Sequence, residues 1–245
     1  MGDSENSLIQ YDFEFNTNIL KMLGRPWVQS DHDIIAIVFL QKMFSTERMT
    51  QNHNLNRYYD YLISNNCKPI LIDAGANIGA ASLYFNQMYP VLKTISIEPD
   101  IENAQLLQSN LAEFDVEVIQ GALGCDDEIL FLDTENFDPI AYRVGSVGNV
   151  EVISHSVTSI LKRLTAAEKP FILKIDIEGG EDLLFSKETR WINDFPLIII
   201  ELHDWMLPFT NVSKNFYKAI SSYNFDLINY GENTFCFNQD ILKII

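Results

Sequence analysis

Asp176, Glu178 and Glu181 crowd three carboxylates into one short turn, directly after the apolar run Phe171-Ile172-Leu173-Lys174-Ile175. Anions packed so closely cost free energy unless a cation, hydrogen-bond donors or a helix N-terminus offsets them. Three uses fit such a turn. It could face a cationic ligand, or hold a hard divalent metal through oxygen ligands. Glu181 could also simply occupy the first turn of a helix. A second apolar run, Ile198-Ile199-Ile200, ends in Glu201, Leu202 and His203. Side chains alternate along a strand, so Glu201 and His203 point to one side. An imidazole beside a carboxylate can take a proton from a hydroxyl, or bind a metal. The candidates for proton transfer are therefore Asp176, His203 and Glu201. Those for a divalent metal are Asp176, Glu178, Glu201 and His203. His32, His53 and His155 have no comparable surroundings and read as surface or loop residues.

A ligand site is written further upstream. Ile70-Leu71-Ile72-Asp73-Ala74-Gly75-Ala76-Asn77-Ile78-Gly79 reads as a strand, a tight turn and the start of a helix. Gly75 and Gly79 permit unusual backbone angles and close approach of a ligand. The N–H groups that open the following helix have no partner within it. The dinucleotide pattern Gly-x-Gly-x-x-Gly is not met, because Asn77 and Ala80 replace its second and third glycines. A pyrophosphate needs that close approach, whereas S-adenosylmethionine (SAM) carries no phosphate. The letters therefore suit SAM better than a dinucleotide, with Asp73 expected near the cationic methionine part. The competing reading is an ordinary strand-to-helix turn. Glu98 weighs against it: this acid ends the next strand, Thr94–Glu98, about twenty residues after the loop, the spacing at which a carboxylate meets a ribose diol. Pro99 ends that strand and Asp100 is placed to cap the next helix.

The elements that must position these residues alternate. Strands are expected near Ile70–Asp73, Thr94–Glu98, Glu117–Gln120, Phe171–Ile175 and Leu197–Leu202. Helices are expected near Ala80–Met88, Glu102–Phe114, Thr158–Leu164 and Glu181–Phe185, and the tail from Phe216 suggests one helix and two last strands. Such alternation implies a parallel sheet covered on both faces, an α/β fold. Between Glu128 and Ser154 the pattern becomes short strand-like pieces, read as an inserted β-excursion with an exposed loop around Asn136–Asn149. Residues 1–65 carry a mixed helical pattern and are expected to form a helical lead-in that packs on the sheet edge or roofs the cofactor. Residues 66–245 are expected to form the catalytic domain.

Composition narrows the classes of function. The 245 residues are 47% hydrophobic, which fits one α/β domain with a large core. A net charge of -17 argues against a partner gripped through phosphates, whether nucleic acid or anionic lipid. It leaves a small-molecule acceptor open. Cys67, Cys125 and Cys236 have no metal-type spacing, the first residues do not resemble a secretory signal, and no apolar run is long enough to span a bilayer. A cytoplasmic protein with reduced thiols is the expectation.

Ile72-Asp73-Ala74-Gly75-Ala76-Asn77-Ile78-Gly79, the Glu98-Pro99 pair and Lys174-Ile175-Asp176-Ile177-Glu178-Gly179-Gly180-Glu181 together resemble the FkbM family of SAM-dependent methyltransferases. Gly121-Ala122-Leu123-Gly124 and Val157-Thr158-Ser159-Ile160-Leu161 are similar in kind and order. The resemblance runs over about two thirds of the chain, from Ile70 onward. It implies a class I, Rossmann-like fold with a mostly parallel seven-stranded sheet whose last strand is antiparallel. It implies SAM held by Asp73, Gly75, Asn77, Gly79, Glu98, Gly121 and Ala122. It also implies methyl transfer, typically to oxygen, on sugars or other small natural products. Two other classes stay open: an NAD-type oxidoreductase, and a catalytically inactive methyltransferase fold serving as an interaction module.

Overall fold

The computed structural model describes residues 7–134, 143–145 and 148–243. The chain opens with an antiparallel hairpin, β1 (Ile9–Phe15) and β2 (Asn18–Gly24). This differs from the helical lead-in expected over residues 1–65, which named no strands. The physical reason is a period of two: Tyr11, Phe13 and Phe15 alternate with Gln10, Asp12 and Glu14, so one face is apolar. Phe15, Leu20 and Met22 are buried, and Asn16 makes the turn with a left-handed φ of 54°. Helix α1 (Gln29–Ile35) then runs into a π-helical turn at Ala36–Leu40, and α2 (Asn52–Ser64) follows.

The core elements are β3 (Lys68–Ala74), α3 (Ala80–Met88), β4 (Lys93–Glu98), α4 (Ile101–Asn110) and β5 (Val116–Gln120). A small sheet comes next, built from β6 (Ala122–Gly124), β7 (Ile129–Asp133), β8 (Arg143–Gly145) and β9 (Val150–Ser156) in the order β6-β9-β7-β8. This is the expected β-excursion. Most of the loop expected around 136–149 lies outside the described residues, and part of its remainder is strand β8. The chain continues through α5 (Val157–Lys162), β10 (Glu168–Ile175), α6 (Glu181–Leu184), β11 (Leu197–Glu201), α7 (Lys214–Ile220), β12 (Phe225–Tyr230), β13 (Asn233–Asn238) and α8 (Gln239–Leu242).

The large sheet has seven strands in the order β12-β13-β11-β10-β3-β4-β5. β13, the last strand, runs antiparallel to both its neighbours, and every other pair from β11 to β5 is parallel. This is the mostly parallel seven-stranded sheet with an antiparallel last strand that the sequence resemblance implies. Ile70, Leu71, Ile72, Ile172, Leu173, Ile198 and Ile199 are all fully buried, as expected of β-branched and leucine runs covered on both faces. One face packs with α2, α3 and the N-terminal segment, the other with α5, α6 and α7. The strand order reverses between β3 and β10, and ligands of open α/β sheets bind beyond the strand ends at such a switch point. Among the described residues no helix is long and apolar enough to cross a membrane.

Candidate active site

The switch point carries the glycine loop. The backbone N–H groups of Gly75 and Ala76 donate to the Ile97 carbonyl at 3.0 and 3.1 Å, which folds the loop over the end of β4. Gly75 has a φ of 71°, and a Cβ there would lie 1.7 Å from the Asp176 carbonyl oxygen. The close approach that requires glycine is thus, first of all, that of the β10 end. Gly79 precedes α3 as its N-cap with a φ of 93°; a Cβ would press on Leu107 of α4 and on Leu111 just past its end, each at 3.2 Å. Asn77, with a φ of 50°, donates its backbone N–H to Glu98 Oε2 at 2.8 Å. Glu98 Oε1 accepts from the Asp100 N–H at 3.0 Å and from Asn103 Nδ2 at 3.4 Å. Glu98 is buried, and desolvation pushes its pKa up to about 7 against the opposing pull of these donors. Asp100 caps α4 as expected, accepting from the Asn103 N–H at 2.9 Å.

Asp73 faces inward. It is fully buried, accepts from Ser82 Oγ at 2.6 Å, and has Lys174 Nζ 3.4 Å from its other oxygen. The parallel register sets Lys174 beside Asp73 on one side and Ile199 on the other, so the three project to one face. Lys174 donates to the Gly75 carbonyl at 2.7 Å and lies 3.2 Å from Asp176 Oδ2. Burial works against its charge, but Asp176 and Asp73 outweigh that and raise its pKa.

Strand β11 ends at Glu201, and His203 opens a single 3-10 turn rather than continuing the strand. The two still meet. His203 is buried, with Nε2 3.5 Å from Glu201 Oε1, 3.4 Å from Glu178 Oε2 and 3.7 Å from Asp176 Oδ1. Its Nδ1 lies 2.8 Å from Glu181 Oε1. Glu181, fully buried in the first turn of α6, is therefore the partner that fixes the imidazole. Burial alone would lower the His203 pKa. The bond to Glu181 and the charges of Glu181, Asp176 and Glu178 override it and raise the value to about 9. Glu178 and Glu201 are pushed above the carboxylate range, chiefly by desolvation and then by Asp176. Among the described residues Asp176 Oδ1 has no hydrogen-bond partner. Ligand atoms of Asp176, Glu178 and His203 all lie within 4.8 Å of one another, close enough to share one cation.

One cleft of about 300 Å³ joins the two halves. Gly75, Asn77, Glu98, Gly121 and Ala122 line one side, and Asp176, Glu178, Glu201 and His203 the other, with Lys174 between. Neither Asp73 nor Gly79 is among the described lining residues. Ile34, Ile37, Met43 and Phe44 from the N-terminal segment line it too, as does Trp205. Lys174, Glu181 and these apolar residues are absent from the candidates read in the sequence. A lysine inside an apolar strand was the available signal for the first. Glu181 was visible as one of the three clustered carboxylates, with the first turn of a helix as its alternative role.

The mostly parallel seven-stranded sheet with its antiparallel last strand, the glycine loop after β3 and the acid ending β4 agree with the fold that the sequence resemblance implies. Residues 73–228 match the methyltransferase FkbM domain, and the chain belongs to that family. A curated relative, "Methyltransferase 1" of Beauveria bassiana (strain ARSEF 2860), is 24% identical over 160 residues, 55% of this chain and 64% of the relative, so the match spans less than two thirds of that protein. Among solved structures, a methyltransferase from Geobacter sulfurreducens aligns at 13% identity with a TM-score of 0.39, covering 84% of this chain and 86% of that one. Precorrin-6y C5,15-methyltransferase from Geobacter metallireducens GS-15 aligns at 9% identity with a TM-score of 0.36, covering 78% and 89%.

Proposed function

We propose that the protein transfers a methyl group from SAM to a hydroxyl of a small molecule, a sugar or another small natural product. The observation that carries this reading is the pairing, in one cleft, of a carboxylate cradle at Glu98 with an imidazole ringed by acids at His203. Bound SAM supplies a methyl group on a positively charged sulfur. The site suits such a group: Glu98 keeps carboxylate lone pairs for a diol, and the acids around His203 favour a cation. Asn77 and Asp100 hold Glu98 in place through their backbone N–H groups. Family membership supports the methyl-transfer class. The net charge of -17 supports a small acceptor over nucleic acid.

As the acceptor oxygen gains its carbon, its proton must leave. Asp176, Glu201 and His203 are the side chains placed to take it up. His203 holds its own proton up to about pH 9, and a cation arriving beside it favours release of that proton. Glu181 keeps the ring turned so that Nε2 faces the cleft.

Calorimetric titration with SAM and S-adenosylhomocysteine tests the first half, and absence of saturable binding by both overturns it. Labelled SAM with a panel of hydroxyl acceptors tests the second. His203→Ala should cut turnover while SAM affinity stays near normal; a fully active variant removes His203 from the chemistry.

A divalent cation is a second use of the same atoms, held by Asp176, Glu178 and His203 with Glu201 beside them. The specific observation in its favour is the Glu181–His203 bond, which leaves Nε2 aimed at three acids. Chelation followed by metal return checks it, and activity unmoved by both rules it out.

A further inference from the structure

The FkbM match begins at residue 73, yet the segment before it reaches the cofactor half of the cleft by three routes. The first starts at Arg25, just after β2. Arg25 is only 5% exposed, which is costly for a charged side chain unless it is paired. The partner is Asp31 of α1, itself 1% exposed: Nε donates to Oδ2 and Nη2 to Oδ1, each at 2.9 Å, and the Arg25 backbone N–H adds a bond at 2.7 Å. With its charge met, Nη2 also donates to Asn103 Oδ1 at 2.7 Å. An amide whose oxygen is claimed in this way must present its NH₂ elsewhere. Asn103 Nδ2 presents it to Glu98 Oε1 at 3.4 Å. The reversed amide would set an oxygen against a buried carboxylate.

The second route leaves β2 one residue from its end. The Leu23 N–H donates to Asn110 Oδ1 at 2.7 Å, and Asn110 Nδ2 donates to the Leu23 carbonyl at 3.1 Å and the Ile78 carbonyl at 2.9 Å. The hairpin is thereby strapped to the glycine loop. The third is apolar: Ile34, Ile37, Met43 and Phe44 form part of the cleft wall, and the π-helical turn lies among them.

We propose that the segment from Ile9 to Phe44 is a working part of the cofactor site, and that Arg25 is a positioning residue that sets Asn103 and, through it, Glu98 for the ribose of SAM. This rests on Glu98 being the ribose acceptor. The segment is then a component of the binding site rather than a separate cap. The Arg25–Asn103–Glu98 chain acts on binding and leaves the methyl-transfer step alone.

Asn103→Asp separates this role from simple folding. An aspartate still accepts from Arg25 and suits the first turn of α4, but it replaces the donor facing Glu98 with a second anion. The variant should keep the wild-type circular dichroism spectrum and a cooperative unfolding transition while its affinity for SAM and S-adenosylhomocysteine drops at least tenfold, about 1.4 kcal/mol. KM for SAM should rise with kcat little changed. Arg25→Lys keeps the charge against Asp31 but lacks the fork that serves both partners, and should lose affinity in the same direction. Glu98→Ala is the control. If Glu98→Ala weakens SAM binding while Asn103→Asp and Arg25→Lys bind as wild type, the relay is overturned and the methyltransferase reading stands. Should Glu98→Ala bind as tightly as wild type, the relay falls with its target and the methyltransferase reading stands; should the wild-type protein bind neither ligand, both fall.

Discussion

Replacing Glu181 by Gln removes one negative charge from beneath His203 and changes almost nothing else in shape. Holding a proton to about pH 9 rather than 6.5 amounts to about 3 kcal/mol in favour of the imidazolium, at about 1.4 kcal/mol per pH unit. His203 and Glu181 have side chains 1% and 0% exposed, so water screens little of this. The Glu181 bond is the first of the influences that raise the value, ahead of the charges of Asp176 and Glu178, while burial opposes them. In Glu181→Gln the imidazole should therefore titrate lower by about one pH unit or more. The sign for stability follows from the raised folded-state pKa. The His203 contribution is fully present below pH 6.5 and is lost as pH rises through about 9. Proton NMR of the imidazole C2–H signals measures the first effect, with His32, His53 and His155 as internal references. Urea unfolding on either side of that window measures the second: the variant should be destabilised most on the acidic side and approach wild type on the alkaline side. An unmoved His203 titration, or a stability loss equal at both ends, would refute the account and reduce Glu181 to a packing residue.

Glu98 should make SAM affinity rise as pH passes upward through about 7, because the protonated carboxyl loses acceptor capacity; Glu98→Gln should bind more weakly and show a flat profile by calorimetry. Lys174→Met should cost about 3–5 kcal/mol in denaturant unfolding by leaving Asp73 and Asp176 without their cation, and adding Asp73→Asn should recover part of the loss. Gly75→Ala should destabilise by more than the roughly 1–2 kcal/mol that a left-handed φ costs by itself, since its Cβ would run into the Asp176 carbonyl; unfolding midpoints and SAM affinity should fall together.

The central strands were legible because β-branched runs covered on both faces leave a strong trace, and Glu98 was legible because it follows the loop at a fixed distance. The hairpin was not read, although Tyr11, Phe13 and Phe15 alternate with polar residues; a single half-exposed pair carries a weak signal next to the apolar cluster of Ile34, Ile35 and Val38. Asp73 looked like a ligand contact because it ends a strand. The neighbours it has in the structure, Ser82 and Lys174, are set by strand register and helix packing, which one sequence does not display. The same holds for Glu181 and His203, which belong to different strand ends and meet only when β10 and β11 pair.

The small sheet offers a last consequence. Its first and last strands, β6 and β9, pair in parallel, with Ala122 beside Ser154 and Gly124 beside Ser156. The chain thus leaves and rejoins the core at neighbouring points, like a plug in a socket. Loop-closure cost grows slowly, by about 0.6 kcal/mol for each doubling of length. Stretches between Cys125 and Ile153 can therefore be lengthened, shortened or exchanged at little expense to the rest of the fold. Leu130 and Val144 from this plug already touch the cleft. Grafting a foreign excursion between the same two strands is accordingly a practical way to reshape that wall of the cleft while Glu98 and His203 keep their places.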